Sequence, residues 1–169
     1  MISAAIDLVK QLRNDAAKAW IVDGNDANLI EGFEGLRLKA YLDSAGVPTI
    51  GWGNTYYADG KKVKLGDTIT RQTADLLLSY KMHEFAAAIK SLVKVPLNDN
   101  QGAALLSFQY NTGALAVSTL LKKLNAGDYA GAAAQFPVWN KSRYNGVLKV
   151  NPVLTKRRAI EQALFNKPA

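Results

Sequence analysis

The feature that most constrains the fold is a change of residue pattern between Gly35 and Gly66. Over residues 39–53 helical spacing gives way to β-branched and aromatic residues on both sides of a turn-forming run at 43–46. The Asp59-Gly60 pair predicts one more short strand pairing. Helical spacing returns on either side. We therefore predict an α+β fold, with a small β-hairpin lobe and a larger helical lobe.

The N-terminal part of the chain is predicted to be helical. Residues 2–20 have the spacing of an amphipathic helix, which the polar run 23–26 is expected to break. Asn28 and Glu31 have the spacing of a capping box, so they are predicted to open a second, short helix. Gly35 is the residue type that commonly ends a helix.

From Thr70 the chain is predicted to be helical almost to its end. A second capping box, at Asn98 and Gln101, opens a helix whose segment 103–108 is apolar nearly all round. Such a segment is best explained as the buried centre of the helical lobe. Shorter helices around it are separated by Gly113, Gly127 and Pro152.

The composition is that of an ordinary globular chain, with 169 residues, 49% hydrophobic content and no cysteine. Disulfides and thiolate chemistry are thereby excluded. We divide the chain into a helical extension at 1–26 and one domain at 27–169, with the β lobe at about 36–68 and the helical lobe at about 69–169. No apolar run approaches the ~18 residues of a membrane span, so a cytosolic chain without stable membrane insertion is expected.

The net charge of +7 is concentrated near the C-terminus. Residues 141–169 contain seven basic side chains and one acidic side chain. This imbalance suggests a polyanionic partner, and nucleic acid, an anionic membrane and an anionic cell wall all fit. A solvated helix face explains the charge of any one of these residues equally well.

Two carboxyl groups stand out by their positions. Glu34 is on the last turn of a predicted helix, Asp43 lies at the hairpin turn nine residues later, and Thr49 begins the return strand. The partial negative charge of a helix C-terminus, with some burial, should keep Glu34 protonated, whereas Asp43 on an open turn should stay ionised. Glycoside hydrolysis uses such a pair. Spacing alone does not establish it, because most Glu and Asp side chains are simply solvated.

The surrounding motif is more specific. The run Glu34-Gly35, Asp43, Thr49-Ile50-Gly51 and Gly53 resembles the Glu/Asp/Thr signature of the phage lysozymes, the endolysins of glycoside hydrolase family 24 typified by the lysozyme of the T-even phages. The similarity continues through residues 101–139 and ends at the closing Pro-x-Leu-x-x-Arg-Arg-x-x-Glu of 152–161, where Val153 replaces the family's glycine. It covers roughly residues 27–166.

This resemblance implies a lysozyme-like fold with an active-site cleft between the two lobes. It also implies a muramidase that cleaves the β-1,4 bond between N-acetylmuramic acid and N-acetylglucosamine. Glu34 would protonate the glycosidic oxygen, while Asp43 and Thr49 hold and activate a water on the opposite face of the sugar. The outcome would be inversion, with carboxyl groups ~6.5–9.5 Å apart. No cofactor and no metal are implied.

Further residues are assigned by position in the family motif. The resemblance places Thr55, Tyr110, Ser118 (or its neighbour Thr119) and Gln135 near the substrate. Core packing explains Tyr110, and surface exposure Gln135, about as well. Arg37 and Asn111 are assigned to structural roles near the site, Arg37 more as an ion-pair partner than as a substrate contact. Trp52 and Trp139 could line a saccharide cleft, although core packing is the simpler interpretation.

The sequence departs from the family in two places. Asn54 stands where many members have a histidine after Gly-x-Gly, and Lys81 is aligned opposite it, where an aspartate is often found. Losing both suggests the loss of a structural ion pair rather than of catalysis. The single histidine, His83, is interpreted as a solvated residue. The second departure is the N-terminal helix, which is longer than the family's and is expected to pack on the helical lobe.

The resemblance also implies partners. These are bacterial peptidoglycan as substrate and a holin-type protein that releases a monomeric enzyme from the host cytoplasm to the cell wall; no nucleic acid is expected. A lytic transglycosylase is a nearby alternative, against which the presence of both Asp43 and Thr49 argues. A non-catalytic wall-binding module and membrane killing by the basic C-terminal segment are alternatives from other classes.

Overall fold

A long helix joins two unequal groups of elements in the computed structural model, which describes Trp20 and residues 22–169. This helix, α2, packs against a β-hairpin on one side and against the central helix α3 on the other. The predicted α+β architecture of a small β lobe and a larger helical lobe is confirmed. The elements in chain order are α1 (Gly24–Glu34), β1 (Arg37–Leu42), β2 (Pro48–Gly51), α2 (Arg71–Leu92), α3 (Asp99–Thr112), α4 (Thr119–Asn125), α5 (Tyr129–Ala133), β3 (Lys141–Tyr144), β4 (Val147–Val150) and α6 (Pro152–Phe165), with short 3₁₀ turns at Leu115–Val117 and Phe136–Trp139.

The centre of the helical lobe is α3, as predicted. Asn98 caps the helix and forms a capping box with Gln101, and Gly113 ends it in the left-handed conformation at φ 62°. Residues 104–108 are all fully buried, because the surrounding helices cover every side of this segment. Trp20 is also buried, and its ring lies where a side chain on Gly102 would otherwise stand.

The β lobe is built on the antiparallel hairpin of β1 and β2, in which Tyr41 pairs with Thr49. The predicted additional pairing is present as two isolated bridges, Tyr56 with Lys62 and Lys39 with Thr68. A small core of Ala40, Ile50 and Val63 fills this lobe. The hairpin and the pairing around Asp59-Gly60 are therefore confirmed.

The predicted start of the helix before Glu34 is wrong. The run 23–26, expected to break a helix, instead begins α1: Asp23 is the N-cap, and its side chain and that of Asp26 form a capping box. Asn28 and Glu31 lie inside the helix. The helix begins at the acidic capping pair, and not at Asn28, because this pair satisfies the first free N–H groups about one turn earlier. Gly35 ends α1 as expected, at φ 67°.

The expectation of helix from Thr70 almost to the end is wrong at residues 141–150. There β3 and β4 form a second antiparallel hairpin with a regular four-pair register. Asn145 and Gly146 form its two-residue turn and both have positive φ, 48° and 80°. Asn-Gly between strands is a strong hairpin signal, since both residues tolerate that conformation.

The predicted helix over residues 2–20 lies outside the described residues, apart from Trp20, and the division into 1–26 and 27–169 stays a prediction. Across the described ranges, no helix is both long and apolar enough to span a bilayer.

Candidate active site

Glu34 is the last residue of α1, and its carboxyl group meets an arginine from the far end of the chain. Its Oε1 accepts a hydrogen bond of 2.7 Å from Nη1 of Arg157 on α6. The Glu34 side chain is 19% exposed and that of Arg157 is 5% exposed, so the ion pair is largely shielded from water. Charge-assisted bonds in such places are strong because water competes little for them.

Arg157 is fixed on every side by buried partners. Its Nε donates to Glu161 at 3.1 Å, its Nη2 donates to the carbonyl of Ser107 at 3.0 Å, and its guanidinium lies 4.6 Å from the centre of the Phe33 ring. Glu161 also forms an ion pair with Arg158 at 2.8 Å. Burial raises the pKa of Glu161, and both arginines oppose that shift.

This cluster corrects one prediction and gives Glu34 a partner that was not predicted. The nearest charged group to Glu34 is the guanidinium of Arg157, whereas the expectation of a protonated carboxyl group considered only the helix C-terminus and burial; that expectation stays a prediction. Arg157 and Arg158 are also buried and paired, so they do not belong to a basic C-terminal surface. Both arginines are among the seven basic side chains of 141–169 and belong to the closing motif. Their spacing of four and three residues before Glu161 is the sequence signal for these ion pairs.

The second carboxyl oxygen of Glu34, Oε2, lies against Gly53, which has no side chain to displace it. A Cβ built on Gly53 would lie 2.7 Å from Oε2 of Glu34, so any side chain there would displace the carboxyl group. Gly53 also has φ 81°, a conformation that favours glycine. The Gly-x-Gly part of the motif therefore lets the β lobe approach the carboxyl group closely.

Lys81 of α2 bonds to the backbone of Gly53. Its ammonium donates to the Gly53 carbonyl at 3.3 Å and lies 4.2 Å from the centre of the Tyr110 ring. Burial lowers the pKa of Lys81, and the negative charge of Glu34 opposes this. Asn54 is buried beside it, and its Oδ1 has no hydrogen-bond partner among the described residues. Where the family often has an ion pair, this chain has a lysine bonded to the backbone.

Asp43 and Thr49 both bond to the backbone of Val47, at the end of the hairpin turn. Oδ1 of Asp43 accepts from the backbone N–H of Val47 at 2.8 Å and of Ala45 at 2.9 Å. The hydroxyl of Thr49 donates to the carbonyl of Val47 at 2.9 Å. Since that proton is engaged, the Thr49 oxygen can only accept from a further ligand. The pair thus offers acceptors and no donor.

Tyr41 is paired with Thr49 across the hairpin, and both carboxyl groups affect it electrostatically. Burial raises the pKa of Tyr41, the negative charges of Glu34 and Asp43 raise it further, and Arg37 opposes them. The contact of Gly53 with Glu34 brings the end of α1 against the β lobe, which also carries Asp43 and Thr49.

The residues assigned to substrate contact differ in their exposure and in their contacts. Thr55 lines a cleft of about 410 Å³ together with Asn54, Lys81 and Phe85. Tyr110 is 6% exposed, and its hydroxyl donates to the carbonyl of Trp52 at 2.7 Å, which ties α3 to the β lobe.

Ser118 and Gln135 lie away from those contacts. Ser118 is fully buried as the N-cap of α4, donating to the Leu115 carbonyl and accepting from Leu121. Gln135 is half-buried, immediately before the 3₁₀ turn at Phe136–Trp139. For Tyr110 and Ser118, the contacts favour structural roles.

The two residues assigned to structural roles near the site also differ. Asn111 accepts a hydrogen bond of 2.8 Å from Arg158, which fits a structural role. Arg37 is exposed over the Tyr41 ring, and within residues 22–169 it forms no ion pair. The ion pair favoured for Arg37 is therefore not found among these residues, and the alternative of a substrate contact stays a prediction. Trp52 and Trp139 pack in the core, Trp139 edge-on to Phe108.

A small β lobe against a larger helical lobe is the architecture of the lysozyme-type fold, and solved structures share it. The chain is similar to an endolysin from Escherichia coli O157:H7 phage FAHEc1, with a TM-score of 0.78 and 37% identity over 88% of this chain and 94% of that one. It is also similar to the muramidase domain of SpmX from Asticaccaulis excentricus, with a TM-score of 0.76 and 33% identity over 88% and 99%.

The sequence comparisons give the family. The Phage lysozyme family model matches residues 31–161. An endolysin of Acyrthosiphon pisum secondary endosymbiont phage 1 is 45% identical over 139 residues, which are 81% of this chain and 92% of that protein. The chain belongs to the phage lysozyme family. It is a glycoside hydrolase of the lysozyme type, a peptidoglycan-cleaving enzyme of host-cell lysis.

We predict that Gly53→Ala removes most of the activity, because the new methyl group displaces Oε2 of Glu34. Gly127→Ala, in the helical lobe, is the matched control: Gly127 has nearly the same positive φ, 80° against 81°, but no atom within 4 Å of an added Cβ. Both variants should lose about 1 kcal/mol of stability from backbone strain. Initial rates on purified sacculi should fall at least about tenfold further for Gly53→Ala. Equal rates for the two variants would contradict the close approach at Glu34.

Proposed function

We propose that this chain hydrolyses the β-1,4 bond between N-acetylmuramic acid and N-acetylglucosamine, with Glu34 as the general acid. The observation that carries the proposal is the fixed carboxyl group of Glu34. Arg157 occupies Oε1 at 2.7 Å, so the Glu34 carboxylate takes up the proton to be delivered on Oε2, the oxygen beside Gly53. A carboxyl group held in one orientation delivers its proton along one direction, which is what general acid catalysis needs.

Asp43 and Thr49 supply the second half of the reaction in this proposal. The Thr49 oxygen accepts one hydrogen of a water, and the Asp43 carboxylate accepts the other as the water attacks the anomeric carbon. Their shared anchor at Val47 supports this role, because it fixes two acceptors relative to each other. The proton from Glu34 goes to the leaving oxygen and the water's proton to Asp43. Attack from the face opposite the leaving group inverts the anomeric centre.

The finer assignments belong to the same proposal. Within the family, the chain is of the glycoside hydrolase family 24 type represented by the lysozyme of the T-even phages. It acts as a monomer, remains in the host cytoplasm until a holin-type partner opens the membrane, and then reaches the wall. Thr55 is the assigned substrate contact that the cleft supports best, because it lines that space beside Lys81.

The role of Glu34 is tested by Glu34→Gln. The amide keeps the shape of the side chain and an acceptor for Arg157 but has no acidic proton, so lysis of outer-membrane-permeabilised cells should fall by about 10²–10⁴-fold. The control is Glu31→Gln, one turn earlier on the same helix, which should lyse at the wild-type rate. Lysis by Glu34→Gln at the wild-type rate would refute the enzymatic account.

The roles of Asp43 and Thr49 are tested by the products. Proton NMR of the first turnover should show the anomer opposite to that of the substrate, and Asp43→Asn and Thr49→Val should each slow its release. A product that keeps the β configuration would contradict inversion. A 1,6-anhydro end in mass spectra of digested sacculi would instead identify a lytic transglycosylase.

A further inference from the structure

The β3–β4 hairpin of the helical lobe has no part in the proposed reaction. Its two strands pair only with each other within the described chain, and both faces are open to solvent. Four apolar side chains on it are 56–65% exposed: Tyr144, Val147, Leu148 and Val150. Grouped exposed apolar side chains of this kind commonly mark an interaction surface.

The register places a cation beside an apolar side chain on each face. Lys141 pairs with Val150 and Arg143 with Leu148 on one face, because alternate residues of a strand share a face. The other face carries the pairs Ser142 with Lys149 and Tyr144 with Val147, and the Lys149 ammonium lies 5.6 Å from the centre of the Tyr144 ring. Either face therefore combines positive charge with apolar area.

The hairpin is firmly attached at its base and closed at its tip. Asn151, which caps α6, donates from its side chain to Ser142 at 3.2 Å and from its backbone to the Asn140 carbonyl at 2.8 Å. At the tip, Arg143 donates to the Gly146 carbonyl at 3.0 Å. A preformed element loses little conformational entropy when it binds a partner.

The charge around the hairpin is not compensated locally. The sequence has no acidic residue between Asp128 and Glu161. Within that interval Arg157 and Arg158 are buried with Glu34 and Glu161, which leaves exposed cations at Lys141, Arg143, Lys149 and Lys156. The surface is complementary to a partner that is both negatively charged and apolar.

An anionic phospholipid bilayer has both properties at its surface. Its headgroups attract lysine and arginine, and the boundary of its acyl chains accepts exposed aliphatic and aromatic side chains. A polar glycan strand would leave the four apolar side chains without a matching surface. Strands of four residues extend only about 14 Å, roughly half the hydrocarbon thickness, so this contact is peripheral. It agrees with the expectation of no stable membrane insertion.

We propose that the β3–β4 hairpin docks this enzyme on the surface of anionic phospholipid bilayers. Docking uses the cations and apolar side chains of the hairpin and none of the residues assigned to hydrolysis. It holds the enzyme at the membrane that underlies its peptidoglycan substrate, and it is independent of the reaction at Glu34.

The test is co-sedimentation of the full chain with vesicles of phosphatidylcholine alone or with one quarter phosphatidylglycerol. Wild type should bind the anionic vesicles selectively, and less well as salt increases. The triple variant Lys141→Gln, Arg143→Gln, Lys149→Gln should bind on the order of 100-fold more weakly, at about fivefold per charge. The double variant Val147→Ser, Leu148→Ser should bind about tenfold more weakly.

Matched controls change the same residue types elsewhere. Lys62→Gln, Lys64→Gln, Lys94→Gln removes three exposed charges, and Leu76→Ser alters an exposed apolar residue of α2. Neither control should lose more than about half of the binding to anionic vesicles. Glu34→Gln should bind vesicles like wild type, which separates this proposal from the catalytic one. The hairpin variants should keep wild-type rates on purified sacculi and wild-type melting temperatures.

Three results would overturn the proposal. These are equal binding of wild type to both vesicle types, no binding of wild type to either, and wild-type binding of anionic vesicles by the hairpin variants. A loss of binding to purified sacculi by the hairpin variants, measured in the Glu34→Gln background and without any change in vesicle binding, would assign the hairpin to the cell wall instead.

Discussion

The ion pair between Glu34 and Arg157 is the interaction on which the site depends. It joins the end of α1 to α6, two elements 123 residues apart in sequence, at 2.7 Å. Charges removed from water are tolerated only when they are paired and hydrogen-bonded. Here Glu34, Arg157, Arg158 and Glu161 balance as two negative and two positive charges, and Ser107 satisfies further donors and acceptors.

The two lobes contribute different parts of the proposed reaction, and Gly53 lies where these parts meet. The helical side supplies a carboxyl group oriented by Arg157, whereas the hairpin supplies the acceptors of Asp43 and Thr49, both anchored to Val47. Gly53 can lie against the Glu34 carboxyl group because it has no side chain, and Lys81 holds its carbonyl from the other side.

Local signals made much of this predictable from sequence. The turn residues of the β1–β2 hairpin, the capping box at Asn98 and the position of Glu34 at a helix end all depend on neighbours within a few residues. The partner of Glu34 was missed because Arg157 lies 123 residues away in the sequence. The β3–β4 hairpin was missed although Asn145-Gly146 is a strong hairpin signal. Basic residues on both sides of this pair favoured the interpretation of a solvated helix.

A double-mutant cycle tests the central ion pair most directly. The free energies of unfolding of wild type, Glu34→Gln, Arg157→Met and the double variant are measured by urea denaturation. We predict a coupling energy of about 2 kcal/mol or more, because Glu34→Gln leaves one excess positive charge in the cluster and Arg157→Met one excess negative charge, whereas the double variant stays balanced. Additive effects, within about 0.5 kcal/mol, would contradict the account.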